Sequence, residues 1–362
     1  MRRVNGVNKY NFSLFFLLGI TASIFLFLNL QSCKNPTDAS GLDTTGTNYS
    51  WQKFTFGGYA GSCSLYDVAI IDGNSIWAVG AVYLDSANGN PDPFPYNAVH
   101  WDGNKWSTIK IPYYYQGQAL YSPIYSIYAF SASDIWFEAG IHWNGHQFET
   151  VPLNIGFPSH VNKLWGTSSS DLYIVGNNGL IAHRNADGVW QKLESGTTLG
   201  LVDIYGASLP NFSPEQILAV GTSNYPLNKI ILSINGNTVT SLPTSPIEFE
   251  LSSIWFVPFV YYYVAGDGIF EKNSLSDSSW KNGPLDITKY GITKIRGNGL
   301  NDIFAVGAFG EVLHYNRESW KSYINETGLS NGSYAGLAVK GDLIVAVGSN
   351  NQQAVVLIGR RK

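Results

Sequence analysis

The same short phrase occurs seven times in this chain: one or two large apolar residues, a small residue or valine, then glycine. The copies end at Gly80, Gly140, Gly176, Gly221, Gly266, Gly307 and Gly348, and these glycines step by 60, 36, 45, 45, 41 and 41 residues. Ile76-Trp77-Ala78-Val79-Gly80 and Ile303-Phe304-Ala305-Val306-Gly307 show the pattern in full. A period of about 40–50 residues written in strand formers is the signature of a propeller blade, a small sheet that must stack on neighbours to bury its faces. Helical signals are nearly absent, with no sustained i, i+3, i+4 apolar pattern bounded by caps. The sequence therefore predicts an all-β fold, a seven-bladed propeller of four-stranded antiparallel blades. Such a ring hosts many activities and many proteins with none, so function has to be read from sites.

The third blade is written most fully. An inner strand over 161–166, a second strand over 172–176, a third over 180–184 and an outer strand over 189–193 are separated by turn residues. Asp102-Gly103, Asn144-Gly145 and Asn235-Gly236 mark third-to-fourth hairpins, where a two-residue turn needs positive φ. Outer strands open on Trp106, Phe148, Trp190, Val239, Trp280 and Trp320, one fewer than the second strands. The missing one stands at the other end of the chain. Trp51-Gln52-Lys53-Phe54 matches Trp190-Gln191-Lys192-Leu193, so the N-terminal strand is expected to complete the last blade beside 354–358 and close the ring.

The first 32 residues read as an address. Arg2, Arg3 and Lys9 precede an almost wholly apolar stretch over 12–28, as in a secretory signal. Leu30-Gln31-Ser32-Cys33 resembles the bacterial lipobox, with Gln31 departing from the preferred small residue. The resemblance implies cleavage before Cys33 and lipidation of that cysteine; an uncleaved signal anchor is the alternative. Residues 33–48 read as a flexible tether and 49–362 as a single propeller. Without the three basic residues of the signal, 19 basic side chains face 26 acidic ones, a net charge of −7. That balance argues against nucleic acid as a partner. With Cys33 lipidated, Cys63 has no intramolecular partner and reads as a small buried or turn residue.

The string Ser75-Ile76-Trp77-Ala78-Val79-Gly80, followed by Val99-His100-Trp101-Asp102-Gly103-Asn104-Lys105-Trp106, resembles bacterial BNR-like propellers of the photosystem II assembly-factor type. Asp302 to Gly307 with Leu313-His314-Tyr315 and Trp320 repeats it. The resemblance covers most of 50–358 and implies the fold, together with a secreted or lipid-anchored habit. The sialidase box Ser-x-Asp-x-Gly-x-Thr-Trp is absent from the sequence.

Few constellations point to chemistry. His100, His142, His183 and His314 fall at one repeated third-strand position, so they are spread around the ring and predict blade packing or hydrogen bonding, with metal binding set aside. Inner-strand positions give Asp67, Ser126, Lys163, Asp203, Ser253, Lys294 and Gly336, one per blade. Asp67, Lys163, Asp203 and Lys294 are candidate channel-lining residues, read either as mutually paired charges or as a polar or catalytic group. No catalytic residue, metal site or cofactor motif emerges. The clearest departures from the repeat are two insertions in blade one, over 84–96 and 112–123. Second-to-third and blade-to-blade connections emerge on one face, so these insertions are expected to be neighbours. Phe94, Tyr96, Tyr113, Tyr114, Tyr115 and Tyr121 then form a candidate ligand-binding wall for a glycan or peptide, or pack on one another. The resulting expectation is a lipid-anchored protein of the bacterial cell envelope, most simply its outer membrane, that acts as a non-catalytic binding or assembly scaffold for a protein or glycan. The alternative is a carbohydrate-active or redox propeller enzyme.

Overall fold

The computed structural model describes residues 44–362 apart from 59, 86–88, 91, 157–159, 209–214, 225 and 284–285. Cys33, the apolar segment before it and most of the expected tether lie outside the described residues. Seven four-stranded antiparallel sheets follow one another along the chain, each ordered from an inner to an outer strand. Blade one contains Ser64–Asp72, Ser75–Val82, Tyr96–Trp101 and Trp106–Ile109. The inner strands of blades two to seven are Ile127–Ser131, Val161–Ser168, Gly200–Ala207, Leu251–Val257, Ile292–Gly299 and Gly332–Lys340. Neighbouring inner strands pack side by side about the axis, and Gly332–Lys340 packs on Ser64–Asp72, which completes the circle.

The ring is closed as the repeat demanded. Tyr49–Phe56 forms the outer strand of blade seven, pairing with Gln353–Arg361 in the register Tyr49 with Arg361 through Phe56 with Ala354. Trp51 lies flat on Gly359, where a Cβ would stand 2.3 Å from the indole. Residues just before the strand also dock: the Thr47 carbonyl accepts from Tyr323 Oη at 2.6 Å and Lys321 Nζ at 3.1 Å. The expected tether is therefore bound to blade six at its C-terminal end.

Apolar side chains form seven buried clusters among the described residues, one at each blade-to-blade interface. This explains second strands that are apolar at almost every position: both of their faces touch another blade. The third-to-fourth turns differ in part from expectation. Only Gly236 and Asn237 form a two-residue turn. Between Trp101 and Trp106, and between Trp143 and Phe148, four residues intervene. There Asp102 and Asn144 accept backbone N–H groups two and three residues on, so the side chain builds the turn. Gly103 and Gly145 take the positive φ in these loops, and Arg317 takes it in blade six.

Removing residues 49–57 is expected to lower the melting temperature by more than about 10 °C, because an eight-pair ladder and the last blade's outer layer go together. Removing 34–43 leaves every contact above in place and is expected to shift it by less than about 2 °C. Thermal denaturation of the two truncations decides; equal melting temperatures would remove closure as a source of stability.

Candidate functional site

Six inner strands carry a bulge at one equivalent place. Opposite the repeat glycine one extra residue interrupts the register: Tyr66, Asn162, Val202, Ser252, Thr293 or Ala335. Side chains there stitch each blade to the next. Asn162 donates to the Leu201 carbonyl at 2.8 Å and Ser252 to the Ile292 carbonyl at 2.6 Å, while Thr293 donates to the Tyr334 carbonyl. The following position works the other way. Asp67 accepts from Ile127 N, Ser126 from Leu164 N, Asp203 from Ile254 N and Ser253 from Ile295 N, all at 3.0–3.1 Å.

The same positions hold the four candidate channel-lining charges, and the structure brings all four together as pairs. Lys163 Nζ lies 2.5 and 2.6 Å from the Asp67 carboxylate oxygens. Lys294 Nζ lies 3.4 Å from Asp203 Oδ1. Arg296 adds a two-pronged contact to Asp203, through Nη2 at 2.7 Å and Nη1 at 2.9 Å. Burial alone would push the Asp203 carboxyl up, but the Arg296 and Lys294 charges outweigh it and hold it well below the usual carboxylate range. Burial draws the Lys294 ammonium below its ordinary value, and Asp203 offsets part of that. Arg296 escaped sequence reasoning because one position per blade was considered. Strand alternation carries the signal, since Arg296 stands two residues beyond Lys294 and shares its side of the strand.

Each of the four histidines serves its own blade. His100 stacks on Trp77, His142 on Trp136, His183 on Tyr173 and His314 on Phe304, with ring centroids 4.1–4.3 Å apart. Nε2 then meets the residue that opens the second strand: Ser75 at 3.2 Å, Asp134 at 2.9 Å, Asp171 at 2.7 Å and Asp302 at 2.9 Å. Among the described residues no three His, Cys, Asp or Glu side chains gather as metal ligands. Cys63 is buried, and its sulfur accepts the Tyr83 N–H at 3.2 Å.

The two insertions of blade one meet, and they divide the six candidate aromatics. Phe94, Tyr96 and Tyr121 surround the Lys110 ammonium at 5.9, 5.0 and 5.8 Å, and Asp92 holds that ammonium at 2.6 Å. Tyr96 and Tyr121 therefore brace the loops, and Phe94, which also meets this cation, remains 50% exposed. Tyr113–Tyr115 pairs with Gln118–Leu120 as a small hairpin leaning on blade two, where Thr150 accepts the Tyr114 N–H. Tyr113 packs on the cluster between blades one and two, whereas Tyr114 and Tyr115 are 46% and 54% exposed. The exposed surface reaches beyond these loops. Leu227, Phe249, Tyr290 and Phe309 also stand exposed on second-to-third or blade-to-blade connections, and Tyr290 packs on Phe309 with centroids 5.0 Å apart. Among the described residues, only Val189, Phe259 and Val260 of the large exposed apolar residues sit at the opposite end. Sequence reading missed this spread because single exposed residues carry no repeat signal.

At the channel mouth on the loop-rich face, Tyr66 stacks on Tyr125 at 4.5 Å and His160 meets Tyr125 edge-on at 4.3 Å. Glu138 accepts the Tyr125 N–H at 2.9 Å. Burial pushes the Glu138 carboxyl up to about 8 and outweighs that hydrogen bond. A carboxyl raised on folding stabilises the fold while protonated, and that stability is lost as pH rises from its ordinary value near 4.5 through about 8. Glu138→Gln is therefore expected to melt increasingly above wild type between pH 5 and pH 9. A constant difference across that range would place Glu138 in contact with water.

Known proteins resemble this chain in fold. No family model matches the sequence, and no curated protein matches it. Among solved structures, "YCF48 bound to D1 peptide" superposes with a TM-score of 0.62 at 14% identity, covering 89% of this chain and 100% of that one. The WD40 propeller domain of Doa1 gives 0.60 at 14% identity over 88% and 98% of the two chains. A streptogramin B lyase gives 0.59 at 12% identity over 85% and 97%. At these identities the likeness establishes a β-propeller and nothing finer.

Proposed function

We propose that this chain is a lipid-anchored propeller of the bacterial envelope that captures a protein or peptide partner on its loop-rich face. The observation that carries the reading is the gathering of exposed aromatic and aliphatic side chains at one end of the ring, with Tyr114 and Tyr115 at its most prominent loop. Tyrosine offers rigid amphipathic contact area at small entropic cost, and exposed apolar surface of this kind marks interaction sites. Support also comes from a structural neighbour of like fold whose own structure holds a peptide. A glycan could stack on the same two rings, and the partner's chemistry distinguishes the readings. The anchor rests on the signal-like N-terminus and the Leu30-Gln31-Ser32-Cys33 string.

Partners are to be co-purified from native envelope and identified by mass spectrometry, with wild type beside Tyr114→Ala/Tyr115→Ala. The double variant is expected to lose its partner at least about tenfold while melting within about 3 °C of wild type. Tyr113→Ala is expected to lose stability instead, because that ring is packed. Retention of the partner by a stable double variant would move the site off this hairpin. For the anchor, the mature N-terminus is expected at a lipidated Cys33, and Cys33→Ala is expected to accumulate as an uncleaved precursor. An N-terminus found elsewhere would end the lipid reading.

A further inference from the structure

The end of the ring opposite the two blade-one insertions holds a cavity of about 270 Å³ on the axis. Its wall is set by one inner-strand position in each blade. Tyr128, Trp165, Tyr205 and Trp255 occupy it in blades two to five, but Ala69 and Ala338 stand there in blades one and seven. The cavity is the space those two alanines leave inside an otherwise aromatic collar. Blade six contributes Arg296, whose guanidinium lies over the Tyr205 ring at 5.7 Å, and Lys163 lines the inner end.

The buried charges behind this cavity do not balance. Among the described residues, Lys163, Lys294 and Arg296 pair only with Asp67 and Asp203. Lys163 takes Asp67, and Arg296 takes Asp203 with both prongs. Lys294, 8% exposed, is left with one 3.4 Å approach to an oxygen that Arg296 already holds. An unmatched buried cation is costly, and although Lys294 does not itself line the cavity, an anion beside Lys163 and Arg296 there offsets the excess positive charge of the cluster. A flat apolar body suits the aromatic collar.

The geometry points to a binding site for a small planar aromatic carboxylate in this cavity, at the end of the channel opposite the proposed partner face. The site goes beyond the scaffold reading and uses none of its residues. Its acid group faces the Lys163 and Arg296 end, and its ring lies among Trp165, Tyr205 and Trp255. Ala69 and Ala338 give it room.

The test is calorimetric titration of the mature protein in detergent with 2-naphthoate, beside neutral 2-naphthylmethanol and cationic 2-naphthylmethylamine, each corrected for heat into detergent alone. Saturable binding of the carboxylate, about tenfold or more tighter than the alcohol, is expected. Lys294→Met balances the charges without leaving a carboxylate unpaired, and it is expected to weaken naphthoate about tenfold and leave the alcohol unchanged. Ala338→Trp copies the aromatic of the other blades and is expected to abolish binding of both. Absence of saturation with wild type overturns the site. Equal binding of carboxylate and alcohol, or undiminished carboxylate binding by Lys294→Met, overturns its anionic character. Wild-type affinity in Ala338→Trp, with the melting temperature confirming its fold, overturns its location.

Discussion

The molecule depends on a contact that only glycine allows. At Gly80, Gly176, Gly266, Gly307 and Gly348 the second strand presses on the inner strand so closely that a Cβ would stand 1.9–2.1 Å from a carbonyl oxygen, that of Ser64, His160, Glu250, Gly291 or Ser333. No side chain can be shifted to relieve such an overlap, because the obstacle is backbone. The bulge in the inner strand lies beside this contact, and a bulge bends a strand and re-aims the residues next to it. Here the re-aimed residues reach the neighbouring blade. The glycine repeat and the inter-blade hydrogen bonds are thus two consequences of one local geometry. Blade two departs from this geometry, although its Ser126 still accepts the Leu164 N–H of the next blade. Its glycine, Gly140, has φ of 79° and closes a short turn over Glu138–Gly140, and its inner strand has no register shift at the equivalent place.

Because the bulge aims side chains along the ring, polar residues at these positions are buried whatever their charge. Serine and aspartate suit them, since each accepts the N–H of the next blade. Lysine cannot accept, and its ammonium has to find a carboxylate from another blade. Asp67 in blade one therefore holds Lys163 in blade three, and Asp203 in blade four holds Lys294 and Arg296 in blade six. These pairs join blades that are not neighbours. Buried pairs of this kind cost desolvation and are weak sources of net stability, but losing one partner strands the other. They favour one arrangement of seven similar blades over a shifted one.

What the sequence made legible follows from repetition. A position present in every blade declares itself by its period, so the fold, the closing strand with Trp51, the histidine position and the channel charges could all be found from spacing. Features that occur once do not announce themselves. Lys110 lies within a strand-to-loop junction like many others, and only folding brings Phe94, Tyr96 and Tyr121 around it. Glu138 replaces the usual small or apolar residue two positions before the glycine, a visible irregularity whose effect on acidity depends on burial. Arg296 needed a second periodicity, the alternation along one strand, to be read together with the blade period. The turn chemistry of Asp102 and Asn144 was recognisable as turn-forming, but loop length depends on the pairing register, which the dipeptide alone leaves open.

The two ends of the ring are free to vary in different ways. At the loop-rich end, connections leave the blades without entering the blade interfaces, so length there changes at little cost to the ring. Both long insertions lie at that end. At the other end, first and second strands are joined by turns as short as Gly73-Asn74 and Gly341-Asp342, and blade four alone spaces them by eight residues, over 208–215. Beside the axis at that end, variation also comes from side-chain size on the inner strands themselves. Trp165 can lie flat only because blade four offers Gly206, where a Cβ would sit 2.3 Å from the indole. Trp255 leans on Gly297 in the same way, at 3.0 Å. The two tryptophans at the channel are thus each matched by a glycine on the following blade, Tyr205 meets Phe256 edge-on at 5.2 Å instead, and a pair of alanines is enough to open a cavity. A ring built on one repeated backbone contact therefore carries two independent surfaces, a loop-rich face shaped chiefly by inserted residues and an axial cavity shaped by exchanged ones.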